Sequence, residues 1–385
     1  MLIPIANAPR AYSWGSPDLI AQLEGREPSG EPEAEIWYGA HPGNPSHVLG
    51  DEDGAGRTLD AVLEASGEPP LPYLMKLLAA GSSLSIQAHP TKSEAEAGFA
   101  REERAGVPRD ADDRLYRDDN HKPEIIVALS DEFLALVGLR PVAATRRLLA
   151  ELGGGAALAR LDSLLADPDE DQALRAALEW ALAQATPDDV AALTRALDET
   201  DSTEFAREIE VLRAAASDFP GDAGLFVALL MNLVVLHRGE ALFAPAGVLH
   251  AYQAGLGVEL MAASDNVLRG GLTPKHVDVP ELLRVLDATA GPAPLVEPRI
   301  GADGSVVYDV GVPDFALTRV ELAGPVDVPL RGAAIVLATA GEVVVSEGDD
   351  SVALVPGRAA YVGGGAPAVL LSGTGEAFVA QPGEI

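Results

Sequence analysis

Polar and apolar residues alternate in a short segment of the chain, residues 84–90, that ends in proline. Because successive side chains of a β-strand point to opposite faces, Ser85, Gln87 and His89 share one face of the predicted strand and the apolar residues share the other. Such a strand can line a pocket with hydroxyl, amide and imidazole groups, and imidazole is a frequent metal ligand. A solvent-facing edge strand has the same pattern, so this segment alone leaves both interpretations open.

Charged residues form a second cluster, residues 118–124, immediately before the apolar segment 125–129. Lys122 and Glu124 are two positions apart, so they share a face where a strand begins. A solvated turn is the ordinary interpretation of such a cluster, and it stays open beside a functional one.

A histidine follows a turn signal in a third segment, residues 241–252. Pro245 and Gly247 mark the turn, and His250 comes three positions after the glycine. Cupin-type jelly rolls present metal ligands in this layout, whereas an isolated histidine is more often structural.

Two cations flank a pair of glycines in a fourth segment, residues 257–275. Arg269 and Lys275 lie on either side of Gly270 and Gly271, and the glycines indicate a loop with a permissive backbone. Such a loop with two cations suits the close approach of an anionic group.

Together with several other motifs, these segments resemble the class I mannose-6-phosphate isomerase (phosphomannose isomerase) family. The motifs occur in the family's order and cover most of residues 1–141 and 238–290, whereas the rest of the chain is similar to the family only in kind. They are residues 12–15, 35–42, 71–76, 85–90, 118–124, 138–141 and 243–275.

The resemblance implies a zinc enzyme that interconverts D-mannose 6-phosphate and D-fructose 6-phosphate by proton transfer through an enediol-type intermediate. One Zn²⁺ per chain is implied, and its ligands correspond to Gln87, His89, Glu124 and His250. Two imidazoles, a carboxylate and an amide oxygen form a reasonable zinc site with room for water or substrate.

The resemblance also implies which residues act on the substrate. Arg269 corresponds to the family's catalytic arginine, and Lys122 and Asp265 are further catalytic candidates. His121 is an additional candidate for proton transfer. The implied substrate-binding residues are Ser85, Lys76, Glu259 and Lys275.

Two other functions use residues of the same types. A non-heme iron oxygenase on the same scaffold requires two histidines and a carboxylate, and a non-catalytic cupin that binds sugar phosphates keeps the fold without turnover. The presence of Gln87 and of the cationic loop argues against the oxygenase. A sensor that had lost turnover would be expected to lack a ligand or Arg269, and the sequence lacks neither.

Three regions of different pattern must position these residues. Residues 1–140 indicate strands and loops with a few helices, residues 141–238 indicate Ala- and Leu-rich helices, and strands return afterwards with one helix near 280–286. We therefore predict a mainly β protein with an α-helical insertion. A cupin-like jelly-roll (double-stranded β-helix) catalytic domain comprises residues 1–140 and 239–299, a helical domain 141–238, and a second, jelly-roll-like β domain 300–385.

The helical region carries its own start signals. Asp167, Thr186 and Asp201 are predicted N-caps, because each precedes an apolar pattern of helical period. The apolar run 225–236 is too short to span a membrane and predicts a buried core helix. Having few candidates for chemistry, this region is predicted to be structural.

Composition excludes several classes of function. The chain of 385 residues has no cysteine, so disulfides and thiolate metal sites are excluded. A net charge of −32 argues against a nucleic-acid partner. Since the first residues do not form a signal peptide and no apolar run is long enough for a membrane span, we expect a cytoplasmic monomer whose partner is a small sugar phosphate.

Overall fold

Strands dominate the structure, a computed structural model that describes residues 1–50, 56–153 and 155–384. Within these residues, twenty strands form two antiparallel sheets of ten strands each, and there are ten helices. The prediction of a mainly β protein with an inserted run of helices is confirmed. None of the described helices is both long and apolar enough to cross a membrane.

The elements are numbered along the chain. The strands are β1 (Leu2–Ala6), β2 (Glu35–Tyr38), β3 (His47–Val48), β4 (Tyr73–Ala80), β5 (Ile86–Ala88), β6 (Glu124–Ala128), β7 (Glu132–Leu139), β8 (Met231–His237), β9 (Ala241–Ala244), β10 (His250–Ala262), β11 (Leu268–Gly271), β12 (Leu295–Val296), β13 (Arg299–Ile300), β14 (Val306–Tyr308), β15 (Ala316–Leu322), β16 (Val326–Pro329), β17 (Ala334–Glu347), β18 (Asp350–Leu354), β19 (Ala359–Val362) and β20 (Ala368–Gln381). The helices are α1 (Leu19–Glu24), α2 (Leu59–Ser66), α3 (Lys92–Ala105), α4 (Val142–Leu152), α5 (Ala156–Leu164), α6 (Glu170–Ala183), α7 (Pro187–Glu199), α8 (Ala206–Asp218), α9 (Gly224–Leu230) and α10 (Val279–Val285).

The sheet that carries the predicted site residues is organised around β10. Its central order is β11-β5-β10-β6-β9-β12, and β2, β4, β7 and β8 complete it. The start of β10 pairs with β5 and β7, and the part from Gly255 onward pairs with β4 and β6. Near the point where β10 changes its pairing partners, the register shifts between Tyr252 and Ala254. Gly255 has a φ of +118°, which L side chains rarely adopt. Thus β10 joins two groups of strands, and both contribute site residues.

The second sheet contains the C-terminal strands and the first strand of the chain. Its order is β13-β14-β15-β20-β17-β19-β1-β3, with β16 beside β20 and β18 beside β17. Apolar side chains of both sheets, among them Ile36, Ile335 and Phe378, share one buried core. Removing this surface from water stabilises the packing of one sheet on the other. The hydroxyl of Tyr73 on β4 also lies 2.9 Å from the carbonyl oxygen of Ala333, next to β17.

Six helices, α4 to α9, pack over strand β5. Their apolar side chains share a core with Ile86 and Ala88, which have no exposed surface, whereas Gln87 between them is partly exposed. The predicted alternation along this segment is therefore confirmed. Helix α9 also approaches the chain beyond β11 closely, since a Cβ atom on Gly224 would lie 2.4 Å from the backbone nitrogen of Leu272.

Two of the three predicted helix caps are wrong, although nearby residues perform the function. Thr186 is the N-cap of α7 and forms a capping box, as predicted. The N-cap of α6 is Asp169 rather than Asp167, because the helix begins only at Glu170. Helix α8 begins only at Ala206, so Asp201 is not its cap; the hydroxyl of Ser202 accepts the N–H of Phe205 instead.

The apolar run 225–236 divides into two elements. It is helical up to Leu230, as predicted, but from Met231 the chain forms β8, so the predicted helix is wrong in its second half. A continuous apolar run does not distinguish a buried helix from a buried strand. The pairing of β8 with β7 decides the matter.

Candidate active site

Three strands bring His89, Glu124 and His250 together. His89 directly follows β5, Glu124 is the first residue of β6, and His250 is the first residue of β10. The predicted turn before His250 forms at Gly247, which has a φ of +80°. The N–H of Gly247 donates to the carbonyl oxygen of His89 at 2.8 Å, so the turn before one histidine is tied to the backbone of the other.

The three side chains have the spacing of a metal centre. All three are buried, and their ligand atoms lie within 4.8 Å of one another. Nε2 of His250 is 3.0 Å from one carboxylate oxygen of Glu124, and Nε2 of His89 is 3.4 Å from the other. Two imidazoles and a carboxylate at such distances can coordinate one metal ion together.

Hydrogen bonds determine which nitrogen of each histidine faces this centre. Nδ1 of His89 donates to the carbonyl oxygen of Asn266 at 2.8 Å, and Nδ1 of His250 donates to that of Val248 at 3.1 Å. Because a carbonyl oxygen only accepts, each Nδ1 carries a proton. Burial, together with the charge of Lys122, lowers the pKa of His89 to about 4, so its ring is neutral at neutral pH.

The neutral ring of His89 leaves a polar atom that needs a cation. Its Nε2 presents a lone pair towards Glu124 and, among the described residues, has no hydrogen-bond partner although it is buried. Burial alone would raise the pKa of Glu124, but the charge of Lys122 lowers it well below its ordinary value. A lone pair facing a carboxylate in a buried site is unfavourable without a positive charge between them. The donor set present therefore fits a metal ion.

The predicted fourth ligand, Gln87, lies next to this centre in the sheet. Its partner in the register of β10 is His250, and its partner in β11 is Arg269. The predicted loop at Arg269, Gly270 and Gly271 is therefore wrong, because these three residues belong to β11, which pairs with β5. Gln87 lines the same cavity as Glu124 and is only half-buried. The strand register thus places the amide between one metal-site histidine and the predicted catalytic arginine.

Two buried lysines lie beside the centre, each with carboxylate partners. Lys122 contacts Glu124 directly. The amino group of Lys76 is 2.9 Å from Glu259, its cross-strand neighbour, and 3.5 Å from Glu35. Burial alone would lower the pKa of Lys76, but these two carboxylates raise it above its ordinary value, so the residue is a cation.

Two adjoining cavities open above these residues, with volumes of about 660 and 540 Å³. They share Lys76, Arg269 and Lys275 in their walls, so they form one continuous depression. Nine of the eleven site residues predicted from the sequence line it, whereas His89 and His250 are fully buried. The nine are Ser85, Gln87, Lys76, Lys122, Glu124, Glu259, Asp265, Arg269 and Lys275.

Four cations in the wall have no carboxylate partner among the described residues. They are Arg10, Arg117, Arg269 and Lys275, and Arg10 and Arg117 were not predicted from the sequence. The guanidinium of Arg10 instead contacts the hydroxyl of Tyr12 and the ring of Trp37. Burial and neighbouring positive charge lower the pKa of both Arg269 and Lys275. In a chain with 59 acidic and 27 basic residues, cations left without acidic partners indicate a site for an anion.

The helical region positions the loop that carries Lys275. Leu272 has a φ of +50°, a strained conformation for a side chain of its size. The carboxylate of Asp222, just before α9, holds this conformation because it accepts the N–H groups of Leu272 and Thr273 at 3.1 and 2.9 Å. The helical region therefore contributes to the site, since the side chain of Asp222 fixes the backbone of the cavity wall at Leu272 and Thr273.

His121 points elsewhere. Its Nε2 lies 2.8 Å from the carboxylate of Asp314, which belongs to the C-terminal part of the chain. The residue is not part of either cavity wall. Two wall residues that sequence reasoning did not select, His41 and Arg117, lie in or directly beside motifs noted above, and that proximity is the only signal that could have identified them.

Known proteins are similar to this chain in sequence. Residues 2–142 match the family model described as phosphomannose isomerase type I, catalytic domain. The mannose-6-phosphate isomerase of Escherichia coli (strain K12) is 36% identical over 388 residues, covering 96% of this chain and 97% of that protein. The mannose-6-phosphate isomerase of Bos taurus is 32% identical, covering 90% of this chain and 89% of that protein.

Solved structures resemble the whole chain. A zinc-bound mannose 6-phosphate isomerase is similar with a TM-score of 0.87 and 33% identity over 100% of both chains. A mutant phosphomannose isomerase from Salmonella typhimurium is similar with a TM-score of 0.88 and 33% identity, again over 100% of both chains. The motifs, the buried centre, the relatives and the shared fold lead to one conclusion: the chain belongs to the type I phosphomannose isomerase family.

Proposed function

We propose that this chain is a zinc-dependent aldose–ketose isomerase that interconverts D-mannose 6-phosphate and D-fructose 6-phosphate. The observation that carries the proposal is the buried group of His89, Glu124 and His250 beneath a cavity that also contains unpaired cations. A metal centre suits the reacting end of the sugar, and the cations suit its phosphate. The membership of the chain in its family supports the same reaction.

His89, Glu124 and His250 would hold the zinc ion, and Gln87 would be the fourth ligand. Zinc in such a site supplies a Lewis acid for the sugar oxygens and a fixed point that orients the substrate. The carbonyl oxygens of Asn266 and Val248 keep both imidazoles in the tautomer that leaves Nε2 free to bind.

The protein side chains move the proton and stabilise charge. Isomerisation transfers a proton between C1 and C2, and the enediol-type intermediate carries negative charge on the sugar oxygens. Arg269 lies in the wall of both cavities and has no acidic partner in the described part of the chain, so its guanidinium is available for that charge. Lys122 and Asp265 are the proposed groups for proton transfer, and Ser85, Lys76 and Glu259 would bind the sugar hydroxyls.

Lys275 and Arg117 would bind the phosphate. A phosphate monoester carries about −1.5 to −2 charges at pH 7, so a strongly acidic protein needs local cations to accept it. Both residues line the larger cavity, whose wall includes none of the four proposed metal ligands. Binding of the phosphate would also relieve the mutual repulsion that lowers the pKa of Lys275.

We also propose the finer architecture and the domain boundaries. The strand group around β10 would be a cupin-like jelly roll formed by residues 1–140 and 239–299, because the metal-site residues come from the strand ends of this group. Residues 141–238 would be a helical domain, and residues 300–385 a second jelly-roll-like domain.

A substrate series tests the proposal. Purified zinc-loaded protein is incubated with mannose 6-phosphate, glucose 6-phosphate and unphosphorylated mannose, and the ketose product is identified by NMR. We expect fructose 6-phosphate from mannose 6-phosphate and at least a hundredfold lower kcat/KM for mannose. Equal rates for mannose and its phosphate would contradict the proposed phosphate site.

A further inference from the structure

The carboxylate of Asp265 has one basic neighbour, the imidazole of His41. Nε2 of His41 lies 3.4 Å from the Asp265 carboxylate. Both residues belong to the wall of the larger cavity, which Trp37 and Lys76 also line. Among the described residues, no other basic side chain comes within ion-pair distance of Asp265.

We propose that His41 is a positioning residue that donates Nε2–H to Asp265 and so directs the second carboxylate oxygen to a sugar hydroxyl. This inference rests on the proposed function, since it concerns how Asp265 meets the sugar. It adds a residue to the substrate site, because His41 belongs neither to the metal centre nor to the segment 269–275 that carries Arg269 and Lys275.

The backbone determines the tautomer of His41. The N–H of Gly43 donates to Nδ1 of His41 at 3.1 Å. A nitrogen that accepts a hydrogen bond in this way carries no proton, so in the neutral ring the proton is on Nε2. That nitrogen faces Asp265. The 3.4 Å separation is longer than an ordinary hydrogen bond, and contacts of this kind commonly shorten when substrate binds.

The ring of His41 is held in place on two sides. Trp37 packs against it edge-on, with ring centroids 5.0 Å apart. On the other side, a Cβ atom on Gly43 would lie 3.2 Å from Nδ1, tighter than most contacts of this type, so glycine gives the ring room to approach the backbone. The His41 side chain is only 10% exposed, whereas that of Asp265 is 50% exposed and open to the cavity.

The backbone of Asp265 is anchored by a hydrogen bond, whereas its side chain is open to the cavity. Its N–H donates to the carboxylate of Asp118 at 2.7 Å, which anchors the main chain. Lys122 and Lys76 are the other charged groups whose fields reach its carboxylate. One carboxylate oxygen faces His41, and the other is left to accept a hydrogen bond from a ligand.

Two substitutions separate this function from a purely structural one. In His41→Gln the side-chain amide reaches the place of Nε2 and still donates to Asp265, but it loses the contact with Gly43. In His41→Asn the side-chain oxygen takes the place of Nδ1 and keeps the contact with Gly43, but nothing reaches Asp265. A structural role therefore favours asparagine, and a positioning role favours glutamine.

The experiment measures kcat and KM for mannose 6-phosphate on wild type, His41→Gln and His41→Asn, with zinc content and the midpoint of thermal unfolding measured on the same samples. We expect His41→Gln to keep kcat/KM within about threefold of wild type, and His41→Asn to lose tenfold or more with unchanged zinc content. The loss should vanish when both variants are compared in an Asp265→Asn background, because the group being positioned is gone. Greater activity of His41→Asn than of His41→Gln, or an undiminished loss in the Asp265→Asn background, would overturn the inference.

A measurement that needs no turnover distinguishes failure of this inference from failure of the proposed function. The carboxyl ¹³C resonance of Asp265, assigned by its absence in Asp265→Asn, is followed against pH. His41 lowers the pKa of Asp265, so we expect that pKa to rise in His41→Asn and to stay near its wild-type value in His41→Gln. If the wild type converts no mannose 6-phosphate, the proposed function fails, and an Asp265 pKa identical in all three proteins overturns the inference separately.

Discussion

Backbone carbonyl groups determine the chemistry of the two buried histidines. His89 and His250 each use Nδ1 to donate to a carbonyl oxygen, so the Nε2 atom of each ring faces Glu124. Metal ligands of this kind commonly owe their orientation to such second contacts. The protein therefore holds the donor set in a binding-competent form, and zinc need not select a tautomer.

Removing one imidazole should remove the metal. We expect His250→Ala to lose tight zinc binding, because two remaining protein ligands and a weakly binding amide cannot replace a buried nitrogen donor. Zinc per chain is measured by elemental analysis after dialysis against a mild chelator, with His237→Ala as control, since His237 is exposed and its ring nitrogen Nδ1 contacts the backbone carbonyl of Asp131. Full zinc retention by His250→Ala would contradict the proposed site.

Substitutions of three cations in the cavity wall should have different effects on kcat and KM. Arg269→Ala should lower kcat and kcat/KM together by about 10²–10³, because its proposed contact forms in the transition state. Lys275→Ala and Arg117→Ala should chiefly raise KM, because they hold the phosphate equally in the ground state and the transition state. Steady-state kinetics measures kcat and KM of each variant, and zinc content is measured on the same samples.

An exposed arginine of the helical region supplies the control for these substitutions. Arg195 on α7 has no acidic partner among the described residues, so Arg195→Ala should leave both parameters near wild type and change stability by less than about 0.5 kcal/mol. If Arg269→Ala keeps wild-type kcat and only raises KM, Arg269 belongs with the phosphate-binding cations.

Sequence patterns identified the motifs but not every residue within them. His89 and Gln87 could be placed on one strand face by alternation, since that depends only on neighbouring positions. Arg117 and His41 could not be selected in this way. Arg117 is a candidate because it has no acidic partner among the described residues, and His41 is a candidate because its Nδ1 accepts the N–H of Gly43. Those are properties of the folded chain, and a single sequence does not contain them in readable form.

At the scale of elements, loops near the cavity are anchored by helices. Tyr116 precedes Arg117 and is completely buried against α3, where a Cβ atom on Gly98 would lie 2.5 Å from its ring. Its hydroxyl donates to Glu281 of α10 at 2.6 Å, and Arg101 of α3 and Arg284 of α10 each contact the same carboxylate at 2.8 Å. This group of four residues fixes the start of the loop that carries Arg117.

The carboxylate of Glu281 should contribute acid-sensitive stability. Burial alone would raise its pKa, but Arg284, Tyr116 and Arg101 lower it to about 2 from 4.5. A lowered pKa means that the unfolded chain binds the proton more readily, so the contribution is present above about pH 4.5 and is lost as the pH falls to about 2. Because the group is partly exposed, the contribution is on the order of 1 kcal/mol.

The matched substitution is Glu281→Gln, which keeps an acceptor for Tyr116 without the charge. We expect the difference in unfolding free energy between the two proteins to be constant near neutral pH and to shrink below about pH 4.5. Urea unfolding at several pH values measures it. If the difference in unfolding free energy grew on acidification, the pKa of Glu281 would not be lowered in the folded protein.

Helical periodicity was more informative than cap residues. The pattern placed the helical region correctly, but Asp167 and Asp201 were wrong as caps because Asp169 and Ser202, one or two positions later, supply the hydrogen bond. The region also does more than the sequence suggested, since Asp222 holds the strained Leu272 beside the cavity. That contact joins segments 50 positions apart and leaves no local pattern.

At the scale of the whole molecule, the two sheets share one buried core. Ile36 and Met75 come from the sheet with the metal site, and Ile335 and Phe378 come from the other. A shared core of this kind couples the stability of both sheets. The net charge of −32 favours solubility and leaves the fold to the packing of these residues.

Truncation within this core should weaken both sheets together. We expect Phe378→Ala to cost about 3–5 kcal/mol, since the ring has no exposed surface and leaves a cavity. Unfolding followed by calorimetry and by the fluorescence of Trp37, which lies in the other sheet, should show one coincident transition shifted to lower temperature. A calorimetric transition that shifts while the Trp37 signal does not would contradict a shared core.

The proposed isomerisation of mannose 6-phosphate depends on zinc bound by His89, Glu124 and His250. To test this, metal-free protein is prepared with a chelator, the chelator is removed, and zinc is titrated back while fructose 6-phosphate formation and bound zinc are measured on the same samples. We expect no conversion without metal, and activity that rises in proportion to bound zinc and saturates at one ion per chain. Full conversion by metal-free protein, or no conversion by protein holding one zinc per chain, would contradict it.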